Sequence, residues 1–154
     1  MLTYFEAISS FLSFQISEQE FDSYVKSKTT ISEDGVEFVW EEEIETISEN
    51  SFSISGNHAL RLCNLVLEGK LSLQALIYVG VNVVDYDKEF PLQINSDLDK
   101  RSSSIFFKWY QIWAYGREAT QLNLEHVKLW KEFLETGEKK WVDESNEPLD
   151  IYNL

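Results

Sequence analysis

The stretch NHALRLCNLVLEGKLSLQALIYVGVNVV, residues 57–84, is the longest apolar run in the chain and carries only three charged side chains, Arg61, Glu68 and Lys70. Gly69 divides it into two blocks, residues 57–68 and 72–84, each long enough for a helix. Neither reaches the roughly 20 unbroken apolar residues that a membrane span requires. A central buried helical hairpin is therefore expected, with Gly69 supplying the left-handed turn that ends the first helix and Ser72 capping the second. Leu71 and Leu76 have the spacing of a hydrophobic staple across that cap.

Toward the N-terminus, Thr3 and Glu6 have the spacing of a capping box, and Phe5, Ile8, Phe11 and Leu12 follow at helical intervals, so a first helix is expected to about Phe14. Ser17 and Glu20 repeat the box, Ile16 and Phe21 form a staple, and Phe21, Tyr24 and Val25 stripe a second helix that ends near Lys28. Thr29, Thr30 and Ile31 favour extended backbone, and residues 32–35 look like a turn. From Val36 two periods compete. Val36, Phe38 and Trp40 alternate like a strand, whereas Val36, Val39, Trp40, Ile44 and Ile47 recur like a helix with Glu41, Glu42, Glu43 and Glu45 on the other face. A helix over about residues 39–47 is the favoured reading.

Toward the C-terminus the composition changes abruptly after Val84, and the polar segment over residues 85–101 reads as a long loop. Ile105, Phe106, Trp109, Ile112 and Trp113 then share one helical face, ended by Gly116. A last helix starts at Asn123, with Leu122 and Val127 as staple, Leu124, Val127, Trp130, Phe133 and Leu134 as buried stripe, and Gly137 as stop. Lys128 with Glu132, and Lys131 with Glu135, lie one turn apart on a solvated face. Trp109, Trp113 and Trp130 fall on apolar stripes and are expected in the core. The fold class is accordingly all-α, a helical bundle; an α+β fold would follow if residues 36–40 and 105–113 were strands.

A chain of 154 residues fits a single domain, residues 1–154, in which the acidic tail after about residue 138 packs back or stays mobile. Five Trp, seven Tyr and ten Phe are too many for a disordered chain. Against 27 acidic residues stand 13 Lys plus Arg, for a net charge of −14, which opposes direct binding to nucleic acid or to an anionic membrane and favours a basic protein partner. Cys63 is the only cysteine, so no intramolecular disulfide can form, and MLTYFEAISS lacks the basic start and apolar centre of a signal peptide. A cytoplasmic address is expected.

The motifs of chemistry are missing. One cysteine and two histidines, His58 and His126, at unrelated positions do not make a zinc site. On one helix Cys63 and His58 point different ways, and Cys63 reads as a small buried apolar residue. Asp85, Asp87 and Glu89 begin like a calcium loop, but Phe90 stands where that loop needs glycine and Ser96 where it needs a bidentate glutamate. The glycines are scattered singly, as turn and cap residues, without a phosphate loop, dinucleotide fingerprint or nucleophile elbow. No cofactor and no enzymatic activity are expected.

What remains is acidic surface in three groups: Glu41, Glu42, Glu43, Glu45 and Glu49; Asp85, Asp87 and Glu89; and Glu138, Asp143, Glu144, Glu147 and Asp150. A charge run is most often a face that keeps a protein soluble. The functional alternative is that one group, with aromatic anchors beside it, covers a basic surface of another protein. Trp40, Trp141 and Tyr152 are the aromatics closest to the charges. The first two groups, with Trp40 and Ile44, are the candidate partner-binding residues.

A strongly acidic, mostly helical chain with NHALRLCNLVLEGKLSLQALIYVGVNVV in its middle, then a loop, an aromatic helix and LNLEHVKLWKEFLETG near its end resembles the small immunity proteins of bacterial contact-dependent growth inhibition and polymorphic toxin systems. The resemblance is one of pattern over about half the chain, and it carries over no residue by position. It implies a monomer that binds one cognate toxin domain, frequently a basic nuclease, and blocks its active site or an essential surface. Two other classes share parts of the pattern. A secretion chaperone is small and acidic, but usually a homodimer on an α/β sheet. A nucleic-acid mimic needs regularly spaced carboxylates along one long face, and here the acids are clumped.

Overall fold

The structure is a computed structural model that describes residues 2–32, 35–38, 50–115 and 123–138. Among these residues it is all-α, built from α1 (Tyr4–Leu12), α2 (Glu18–Lys28), α3 (Gly56–Leu67), α4 (Leu73–Asp85), α5 (Asp97–Tyr115) and α6 (Leu124–Thr136). A single antiparallel hairpin is attached, β1 (Thr29–Ser32) with β2 (Gly35–Phe38), in a register that sets Thr29 opposite Phe38. The strand alternative for Val36 to Phe38 is thus the one observed, while the stretch around Trp109 is helix. The helix expected over residues 39–47, Gly116 and the tail from residue 139 lie outside the described residues. No helix among those described is long and apolar enough to cross a membrane.

Helix starts follow the local chemistry. Thr3 Oγ1 accepts from Glu6 N at 3.2 Å while the Glu6 carboxylate accepts from Thr3 N at 3.2 Å, closing a reciprocal box. Ser17 accepts from Glu20 N at 3.1 Å, but only the forward half of its box is present. The two histidines turn out to share one role. His58 Nδ1 accepts from the Ser55 amide at 3.0 Å, and His126 Nδ1 accepts from the Asn123 amide at 3.3 Å, so each imidazole fills the position that Glu or Gln takes in an ordinary capping box. Ser72 does cap α4 by position, yet its side chain makes no cap bond. Its hydroxyl and amide both donate to Asp22 Oδ1 of α2, at 2.7 and 2.9 Å, which ties α4 to α2.

Helix ends are set by backbone handedness. Gly69 (φ 76°) and Gly137 (φ 80°) are left-handed as expected. Phe14 (φ 65°) takes the same conformation after α1, where a side chain is disfavoured by about 1–2 kcal/mol. Its ring is 77% exposed and has the Arg61 guanidinium 4.0 Å from its centroid.

The core centres on α4, whose residues 75–83 are all buried. The expected hairpin partners, α3 and α4, touch each other little. α4 packs mainly along α5, and α3 packs on α6 and α5, so α5 lies against both. Two glycines permit this. A Cβ on Gly80 of α4 would lie 2.5 Å from Trp109 Cβ and 2.9 Å from the Phe106 carbonyl oxygen, and one on Gly56 of α3 would lie 2.6 Å from the Leu98 backbone. These two are packing residues, a correction to their reading as turn or cap glycines. The ring of Trp109 then meets Trp130 of α6 edge-on at 6.1 Å and Phe106 at 5.3 Å. Trp109 and Trp130 are fully buried; Trp113, half-buried, only packs against the core.

The loop expected to extend to residue 101 is shorter, because α5 begins at Asp97. Ser96 Oγ accepts from Asp99 N at 3.1 Å, and Asp97 and Asp99 place negative charge in the first turn, where the helix dipole favours it. Asp99 also accepts from the Gly56 amide at 2.6 Å and from the Asn95 amide at 3.1 Å. The Gly56 hydrogen bond above all holds its carboxyl below the usual range.

Three outcomes are expected. Trp109→Ala and Trp130→Ala each lower unfolding free energy by about 3–5 kcal/mol in urea titrations, and Trp113→Ala by less. Gly80→Ala destabilises by about 1–3 kcal/mol although alanine favours a helix by about 1 kcal/mol, because overpacking at Trp109 outweighs propensity. The third concerns pH. Burial first, then the nearby Arg61 charge, lowers the His58 pKa below its ordinary value, and the Ser55 amide needs an unprotonated Nδ1. This stability is present above the unfolded value of about 6.5 and is lost as pH falls through the lower folded value. His58→Gln, which keeps an acceptor, should flatten that part of the stability–pH curve below about pH 6.5.

Candidate functional site

The three acidic groups are placed very differently. Trp40, Glu41, Glu42, Glu43, Ile44, Glu45 and Glu49 lie outside the described residues. So do Trp141 and Tyr152, and Asp143, Glu144, Glu147 and Asp150 of the third group, whose Glu138 is exposed. The second group is fully described. It sits at the C-terminal end of α4, where Asp85 and Asp87 are exposed and Glu89 is buried, 5% accessible.

The segment after α4 is fastened on both sides. Tyr86 N donates to Asn82 O at 2.9 Å, and Glu89 N and Phe90 N donate to Tyr86 O at 2.9 and 3.0 Å, continuing the helix end as tight turns. Alongside runs the strand-like segment before α3. Phe52 N donates to Glu89 O, Ile54 N to Pro91 O and Gln93 N to Ile54 O, each at 2.8 Å, forming a parallel bridge between Ile54 and Leu92. Phe90 and Ile54 are fully buried beneath it. Phe90, the residue that spoils a calcium-loop reading, is therefore the anchor that fixes the acids in place.

Onto this turn α1 delivers Tyr4. Its ring stacks on Tyr86 with centroids 4.3 Å apart and planes at 20°, and it lies tilted against Phe90 at 6.4 Å. The Tyr4 hydroxyl donates to Glu89 Oε2, whereas Glu89 Oε1 is buried with no hydrogen-bond donor among the described residues. Burial, then the Glu89 carboxylate, pushes the Tyr4 hydroxyl well above the ordinary phenol range, so it stays a donor at any physiological pH. Behind the pair, the Tyr78 hydroxyl donates to the Tyr24 hydroxyl at 3.0 Å.

Electrostatically the place is unusual. A helix C-terminus carries partial negative charge and favours cations, yet the last turn of α4 has no basic residue and ends on Asp85. Desolvation raises the Asp85 pKa. Lys88, exposed in the same turn, is the local cation. Half-buried aromatic faces beside exposed and buried carboxylates suit recognition of a cationic group. They do not form a metal cage: among the described residues no group of three or more His, Cys, Asp or Glu could hold a metal ion. Cys63 is fully buried, as expected, and burial pushes its thiol far up, away from the thiolate that nucleophilic chemistry requires.

The sequence pointed to Asp85, Asp87 and Glu89 as one group but missed both tyrosines. Tyr86 had a signal, since it stands between two aspartates. Tyr4 had none, because its partners are more than eighty positions away in the chain. No family model, curated protein or solved structure matches the chain.

Proposed function

We propose that the chain is an immunity protein that binds one cognate, basic toxin domain and neutralises it by covering its active site or an essential surface, acting by binding and without turnover. The observation that carries this reading is the fixed turn after α4, which presents Asp85 and Asp87 in solvent beside the stacked Tyr4–Tyr86 pair. Aromatic anchors supply affinity at protein interfaces, and surrounding charge sets approach rate and partner choice. The net charge of −14 supports a basic partner over nucleic acid or an anionic membrane. The resemblance to toxin-immunity proteins supplies the biological setting, a cytoplasmic monomer awaiting its toxin. Among the described residues the only sheet is the two-stranded β1–β2 hairpin, which is not the α/β sheet that a secretion chaperone would usually present.

Two faces are candidates within this reading, the one around Asp85 and the one that Trp40, Glu41, Glu42, Glu43, Ile44, Glu45 and Glu49 would provide. Long-range attraction is screened over about 8 Å at physiological salt. Association with a cognate basic toxin domain should therefore slow markedly as salt rises, while dissociation changes less. Asp85→Lys with Asp87→Lys, and separately Glu42→Lys with Glu43→Lys, identify the face: reversal at the contacting group lowers the on-rate and flattens its salt dependence. Stopped-flow or surface-based kinetics read this directly. If both pairs leave the on-rate and its salt dependence unchanged, the acidic surface serves solubility and the electrostatic reading fails.

A further inference from the structure

We propose that Tyr4, Tyr86 and Glu89 form a receptor for one arginine side chain of the protein partner; this rests on the reading of the α4 end as a binding face. Three independent features converge on it. The first is the lone carboxylate oxygen: Glu89 is 5% accessible, its Oε2 accepts from the Tyr4 hydroxyl, and its Oε1 has no donor among the described residues. A buried carboxylate oxygen left without a donor is costly, and since this one is closed to solvent, a cation held over the adjoining tyrosine rings stabilises it through its charge.

The second feature is the aromatic pair bonded to that carboxylate through the Tyr4 hydroxyl. Tyr4 and Tyr86 stack at 4.3 Å and are half-buried, so the pair keeps exposed aromatic surface that a planar cation can cover. The third is the charge around the pair. Asp85 and Asp87 are exposed on either side of Tyr86 at the negative end of α4. Guanidinium fits this combination better than ammonium. It is flat enough to stack on a ring, and its fork of N–H donors reaches a carboxylate in the same plane. A calcium-type ion fits worse, since aromatic rings take the place of oxygen ligands.

The competing explanation is that Glu89 is only a strut that holds Tyr4 against the α4 turn. An NMR titration of the free protein with N-acetyl-arginine-N-methylamide, observing the tyrosine ring resonances, separates the two. The expected result is saturable shifts at Tyr4 and Tyr86, with weaker binding of the corresponding lysine amide. Glu89→Gln keeps the size of the side chain and an acceptor for the Tyr4 hydroxyl but removes the charge, so it should weaken the arginine probe about tenfold or more while the helical spectrum is unchanged. Tyr86→Leu, which removes the stack and leaves Glu89 in place, should weaken it as well. Absence of saturable shifts, or equal affinity in Glu89→Gln, overturns the receptor and leaves the strut. Because the probe requires no toxin, the two readings fail separately: a toxin that binds a chain blind to arginine removes only this receptor. A chain that binds arginine but not the toxin retains the receptor and loses the immunity reading.

Discussion

Two helix backbones approach closely where α4 crosses α5 at Gly80, and the rest of the described structure depends on that approach. With only a hydrogen where a Cβ would clash with Trp109, α5 lies flat along the buried face of α4. Trp109 is thereby directed toward α6 and meets Trp130. At the other end of the same helix, Gly56 admits Leu98 and offers its amide to Asp99, so α3 is fixed to α5 by a second close contact and a charge-assisted hydrogen bond. The two segments adjacent in sequence, α3 and α4, are thus joined by a helix that comes later in the chain. A hydrophobic run that reads as a hairpin buries itself mainly against a third element, because a stripe all round a helix needs neighbours on more than one side.

This shows which parts of the fold were legible. Capping and stopping chemistry is local, and Thr3 with Glu6, Gly69 and Gly137 did what their spacing implied. The boxes at Ser55 and Asn123 use histidine as the reciprocal acceptor, so the usual pattern of Ser or Asn followed by Glu or Gln passed over His58 and His126. The first turns of α5 are polar and carry no apolar period, and Asp97 and Asp99 reveal a helix start only through dipole and cap geometry. Gly56 and Gly80 were opaque for a different reason. A glycine that serves close packing looks like one that serves a turn until its neighbour in space is known.

The candidate site was legible in charge and opaque in arrangement. Asp85, Asp87 and Glu89 follow one another at every second residue, and as a string they look equivalent. The turn after α4 makes them unlike, with two acids in solvent and the third beneath Tyr4. What separates them is Phe90: burying that ring in the core pulls Glu89 inward with it, and the Phe52–Glu89 backbone bond holds it there. The pairing with α1 is a long-range consequence of packing, and period or spacing says nothing about such contacts.

The same turn poses an energetic conflict that bears on its role. Acids crowd the end of a helix whose dipole disfavours them, partial desolvation raises the pKa of the largely exposed Asp85, and one oxygen of Glu89 is kept from water without a donor among the described residues. Solubility alone would be served as well by the same acids at a helix start, as at Asp97, where they stabilise. Lys88, just beyond the helix, is the one basic residue of the turn, set against Asp85, Asp87 and Glu89. Local terms that oppose folding and concentrate in one place are what a surface looks like when the missing charge arrives with another molecule. Tyr4 ties that surface to the first helix, so a cation that occupies it would draw α1 and the α4 turn together and add stability to the core on which both rest.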